Sequence, residues 1–104
     1  MDELSAKFLP QFLDLARSRV TTAIQAAVAR DHLAATAIAR NLHTLAGEAG
    51  LLGLHDVVPL ARDSEQKAKS LGASRAEADA ELLVDALRQL ERVIESIGAA
   101  HTPP

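Results

Sequence analysis

The stretch that most constrains this chain lies near its C-terminus, where Ala80, Leu83, Leu87, Leu90, Ile94 and Ile97 recur in steps of three and four, with Val84 and Val93 beside them. That spacing keeps one side of an α-helix apolar. An unbroken seam of this kind suits helices packed at shallow crossing angles. Three earlier stretches show the same period. Leu9, Leu13, Ala16, Val20, Ile24 and Ala27 form one stripe, flanked by Phe8, Phe12 and Val28; Ile38, Leu42, Leu45, Ala49 and Leu52 form a second; Leu54, Val57, Ala61, Ala68 and Leu71 form a third.

The punctuation between the stripes is short. Pro10 is expected near the start of the long part of the first helix, where its missing N–H matters least. Arg30-Asp31-His32 breaks the pattern, and Asp31 reads as the N-cap of a second helix running from about Asp31 to the Leu52-Gly53 turn. Pro59 is tolerable in the first turn of the third helix. Leu71-Gly72 reads as that helix's end, Ser74-Arg75-Ala76-Glu77 fits a capping box for the fourth, and Gly98 ends it. The expected architecture is all-α: an up-down-up-down antiparallel four-helix bundle over residues 1–98, with residues 99–104 as a flexible tail.

Composition supports this class and removes others. The chain has 104 residues and is 48% hydrophobic but only 2% aromatic, so its core is built from aliphatic side chains and alanine. Strand signals are absent: there are no alternating β-branched runs and no Asn-Gly or Asp-Gly hairpin turns. A net charge of −3 with interspersed signs offers no basic stripe, and the two phenylalanines provide no base-stacking platform, so nucleic acid is not an expected partner. Zero cysteines exclude disulfides and thiolate chemistry and fit a reducing compartment. No apolar run approaches the ~20 residues of a membrane span, and the Met1-Asp2-Glu3 start is unlike a signal peptide. A cytoplasmic location without a membrane partner is expected.

Within the second helix lies the run His43-Thr44-Leu45-Ala46-Gly47-Glu48-Ala49-Gly50-Leu51-Leu52-Gly53. With Ile38 as zero on a helical wheel, Leu42, Leu45, Ala49 and Leu52 fall within about 40° of it, and His43 falls about 140° away. Thr36, Arg40, Gly47 and Gly50 fall near His43, at about 160°, 200°, 180° and 120°. His43 therefore faces outward, among glycines. Each glycine inside a helix costs about 0.8–1 kcal/mol relative to alanine. Gly53 is explained as a terminator; Gly47 and Gly50 either clear space for the imidazole and an approaching protein surface, or admit a neighbouring helix or an early helix end.

On these residues the chain resembles the histidine-containing phosphotransfer (HPt) domain of multistep phosphorelays. The family pattern is His-x-x-Lys-Gly with a second glycine six residues after the first, carried on the second helix of a four-helix bundle. His43, Gly47 and Gly53 match it, and Leu54 to Ala61 resembles the start of the family's third helix. The departure is Ala46, where the family usually has lysine. Arg40, one turn before His43, is expected to supply the cation in its place.

The resemblance implies that His43 is the phosphorylated nucleophile. It attacks the phosphoaspartate of a receiver domain, of a response regulator or a hybrid kinase, and passes the phosphoryl group to another receiver aspartate. Mg²⁺ is then expected on the receiver, with no cofactor bound by this chain. The chain is a carrier rather than an enzyme: it has no Gly-rich phosphate loop and no ATP-binding domain, and it reads as a free-standing relay component. Docking is expected through Thr36, Arg40, Gly47, Gly50 and Leu51, with parts of the first helix; Leu51 falls about 140° from the core centre on the other side.

The remaining polar residues carry blander readings. His32, His55 and His101 lack the spacing and acidic neighbours of a metal site, so none is expected. Arg62, Asp63, Glu65, Lys67 and Lys69 read as a solvated face with local ion pairs. Asp79, Glu81, Asp85, Arg88, Glu91, Arg92 and Glu95 read as the outer sides of the last helix. Two other functions compete with the carrier: a degenerate family member that binds a receiver or kinase without carrying phosphate, and a plain bundle that dimerises through an apolar face.

Overall fold

The computed structural model describes residues 3–100 of the chain. Among them, four helices account for most of the backbone: α1 (Glu3–Val28), α2 (Ala35–Leu51), α3 (Val57–Ser74) and α4 (Glu77–Ala100), with a 3₁₀ turn at His32–Ala34 leading into α2. They pack as an all-α bundle in which α2 lies on α3, α3 on α4 and α4 on α1, while the α1–α2 seam is the loosest. The stripes read from sequence form the core. Leu9, Leu13, Ala16, Val20, Leu42, Leu45, Ala49, Val57, Ala61, Ala68, Leu71, Leu83, Leu87, Leu90 and Ile94 are all buried in one cluster.

Pairings between helices fix their directions. Arg17 meets Glu95 at 3.2 Å, and Arg30 at the end of α1 pairs with Glu77 at the start of α4, so these helices are antiparallel. Along α2 and α3, Ala35 faces Gly72, His43 faces Glu65 and Gly50 faces Val58, a constant antiparallel register. Arg19 bridges the looser seam to Glu48 at 2.6 Å. Small residues lie where α2 meets α3: Ala35, Ala39, Ala68 and Gly72 line the seam, and Ala46, three residues after His43 and four before Gly50, is buried on the same side of α2.

Several boundaries differ from the sequence expectation. Pro10 lies two turns inside α1, at an exposed position, where the helix forgoes one backbone hydrogen bond. Asp31 caps the 3₁₀ turn, its Oδ1 accepting from the Leu33 and Ala34 N–H groups, so regular α2 begins at Ala35. Gly72 does not end α3. It stays helical and lies close under α2, where a Cβ at this position would sit 3.2 Å from that of Ala35, and the left-handed cap falls instead to Arg75, at φ 58°. The Ser74 hydroxyl accepts from the Ala76 N–H and donates to Asp79, whereas Glu77, the expected capping-box partner, is taken by Arg30.

Gly98 is buried under the Arg17 side chain rather than ending α4, which continues through Ala99 and Ala100. Those two residues of the expected tail are helical, and residues 101–104, with His101, lie outside the described residues. The end of α2 follows the expectation. Gly53 adopts φ 71°, and the Leu54 N–H reaches back to the Ala49 carbonyl at 2.9 Å, closing the helix with a left-handed glycine cap.

Candidate functional site

His43 stands in the middle of α2, its side chain 78% exposed. The core residues Leu42 and Leu45 set this orientation: with both buried in the core cluster, the intervening positions turn outward. The outward face is open as well. A Cβ built on Gly47 meets nothing within 4 Å, and one on Gly50 only grazes Val58 at 4.0 Å. Both glycines lie inside the helix and are exposed, so they neither admit a neighbouring helix nor mark an early helix end.

The imidazole is engaged from the side by α3. Its Nδ1 lies 3.3 Å from Oε2 and 3.4 Å from Oε1 of Glu65, at the long end of the hydrogen-bond range. The Glu65 side chain is only 9% exposed, and its Oε2 also receives the Lys69 ammonium at 3.1 Å. Burial works to raise the Glu65 carboxyl. The hydrogen bond and charge of Lys69, joined by those of His43, outweigh it and hold the group below its ordinary value. An ionised carboxylate only accepts hydrogen bonds, so the nitrogen facing it carries the proton. In the neutral ring Nδ1 is then the N–H, and Nε2 carries the lone pair.

These groups sit on the edge of an open cleft between α2 and α3. Ala35, Ala39, Ala68 and Gly72 make its floor; Thr36, Arg40 and His43 line it from α2, Glu65 and Lys69 from α3, and His32 closes one end. Thr36, Arg40, Gly47 and Gly50 thus share the exposed face of His43, as expected from sequence. Leu51 lies at the far end of α2 and is 87% exposed. On α1, Phe8 and Leu15 are also partly exposed.

The expected solvated face on α3 requires a correction. Asp63 and Lys67 do form a local ion pair, at 2.6 Å, but Glu65 is buried and reaches across to another helix. The signal was present in the third stripe: its steps leave a gap between Ala61 and Ala68, and Ser64 and Glu65, both buried, fill it. Lys69 follows one turn after Glu65. Neither Glu65 nor Lys69 was singled out by sequence reasoning. Ala46 is buried, so the position where a lysine is usual in the resembling pattern faces the packed interior here. His55 is exposed in the α2–α3 turn, and among the described residues no three His, Cys, Asp or Glu side chains gather to hold a metal. No helix among them is long and apolar enough to cross a membrane.

Comparison with known proteins bears on the same region. The family model for the Hpt domain matches residues 7–100, from the second turn of α1 to the end of α4. No curated protein and no solved structure matches the chain. A match of that extent, on a four-helix bundle whose second helix turns a histidine outward, places the chain in the Hpt domain family, the phosphocarrier modules of phosphorelay signalling.

Proposed function

We propose that this protein accepts a phosphoryl group on Nε2 of His43 from the aspartyl phosphate of a receiver domain and returns it to the aspartate of another. The observation that carries the proposal is the pairing of an exposed imidazole with a buried carboxylate at its Nδ1. In the transfer, the Nε2 lone pair forms the N–P bond as the P–O bond to the receiver aspartate breaks, and the aspartate leaves as a carboxylate. The Nδ1 proton stays in place. The ring becomes cationic, and Glu65 faces that charge.

Arg40, exposed one turn before His43 and in no ion pair among the described residues, is suited to meet the phosphoryl oxygens. Mg²⁺ and the other charge-stabilising groups are assigned to the receiver, so this chain supplies a positioned nucleophile. The open backbone at Gly47 and Gly50 and the exposed Leu51 support docking on this face. The reading puts the carrier in the cytoplasm with its receivers.

Incubation with a phosphorylated receiver and Mg²⁺ tests the proposal. An acid-labile, base-stable phosphoryl group that is lost in His43→Gln is the expected result. Binding to several receivers with no labelling would instead establish the adaptor reading, which the burial of Ala46, leaving no cation at that place on α2, keeps in play.

A further inference from the structure

We infer that Lys69 is a positioning residue for His43 that acts through Glu65, fixing the carboxylate so that the imidazole is held with its proton on Nδ1 and Nε2 free. The inference rests on the carrier reading for its functional meaning, but its geometry stands apart from it. Glu65 is nearly withdrawn from water, and a buried carboxylate needs a compensating partner. It has two. His43 offers one polarised N–H, whereas Lys69 brings a full positive charge to the same oxygen, Oε2.

The spacing is favourable as well, since a glutamate followed four residues later by lysine is the preferred order for a pair on one helix. Because both contacts fall on one oxygen, the ammonium nitrogen lies within about 6.5 Å of Nδ1, on the far side of the carboxylate oxygen they share. The other charged groups facing the cleft do not duplicate this role. Arg40 and His32 line it from the α2 side, and neither pairs with Glu65 among the described residues; Lys67, the other lysine of α3, lies outside the cleft and pairs with Asp63.

Without Lys69, the carboxylate loses its principal counter-charge and its anchor. The carboxylate is then free to swing away from the imidazole, and the acceptor that fixes the proton on Nδ1 is no longer held in place. A neutral ring without that acceptor populates the Nε2–H tautomer more, and in that form Nε2 has no lone pair to offer. A lysine that never touches the phosphoryl group thereby controls which ring nitrogen can receive it.

The experiment compares the full chain with Lys69→Met, Lys69→Arg and Arg40→Ala. ¹⁵N NMR of the imidazole at neutral pH reports the tautomer, ¹³C NMR of the Glu65 carboxyl reports its titration, and quenched-flow transfer from a phosphorylated receiver reports the rate. Lys69→Met is expected to raise the Glu65 midpoint, shift the ring from the Nδ1–H toward the Nε2–H form and slow transfer about tenfold. Lys69→Arg is expected to restore all three, and Arg40→Ala to leave both NMR signatures in place. Unchanged tautomer and titration in Lys69→Met overturn the inference. So does slowed transfer without either change, which would put Lys69 on the phosphoryl group or the partner. If the unsubstituted chain accepts no phosphoryl group, the carrier reading fails, and the two NMR readouts still decide the role of Lys69.

Discussion

Replacing Gly47 separates what stabilises α2 from what uses it. Alanine inside a helix is favoured over glycine by about 0.8–1 kcal/mol. Here that gain is not offset by a clash, because the added methyl group meets nothing within 4 Å. Gly47→Ala is therefore expected to stabilise the bundle by nearly the full amount, raising the Tm by about 4–8 °C for a domain of this size. Gly47→Leu has a similar helix preference and should raise it comparably. It also projects four carbons from the face that carries His43.

If that face docks a receiver, the leucine holds the two proteins apart at the reacting atoms. Displacements of about 1 Å can cost on the order of a hundredfold in rate. Circular-dichroism melts and quenched-flow phosphoryl transfer, run on the same three proteins, test both halves. Higher Tm with transfer slowed at least about tenfold in Gly47→Leu is the expected pattern. A lower Tm in Gly47→Ala would refute the open-space reading, and unimpaired transfer in Gly47→Leu would refute a docking role for the bare backbone.

Leu45, two residues after the exposed histidine, is fully buried, and Leu45→Ala should cost about 2–5 kcal/mol in denaturant unfolding. Arg75 ends α3 at φ 58°, and Arg75→Gly should stabilise the protein by about 0.5–1 kcal/mol in the same assay, relief of the left-handed strain exceeding glycine's flexibility cost. The Glu65 carboxyl is held below its ordinary value of 4.5, so its contribution to stability is full above that pH and is lost as pH falls through the lower folded value. The stability gap between the unsubstituted chain and Glu65→Gln should accordingly shrink below about pH 4.5, and a gap that stays constant between pH 6 and pH 3 would contradict the pairing.

What could be read from sequence was whatever lies on one helix at a time. The α4 stripe and the outward turn of His43 follow from a wheel, because 3.6-residue periodicity and burial act within a single element. Glycine caps were less legible. Gly53 and Gly72 both follow a leucine, yet only Gly53 adopts positive φ; Gly72 stays in the helix with the Ala35 methyl group close over it, and the left-handed turn comes three residues later at Arg75. The Glu65 contact was invisible for a related reason. Its partner is 22 residues away, and the register that joins them is set by how closely α2 and α3 approach.

That approach also changes the meaning of Ala46. On sequence grounds it stood as a missing positive charge on α2, with Arg40 as the substitute. In the fold it is part of the small-residue surface that brings α3 close, and α3 carries Lys69 up to the carboxylate beside the histidine. A longer side chain at position 46 would have to leave the interior or push α3 away, lengthening the 3.3 Å contact between His43 and Glu65. The alanine and the Glu65–Lys69 pair are therefore one arrangement, in which positive charge reaches the site from the neighbouring helix because the helix bearing the histidine is packed too tightly to supply it from position 46.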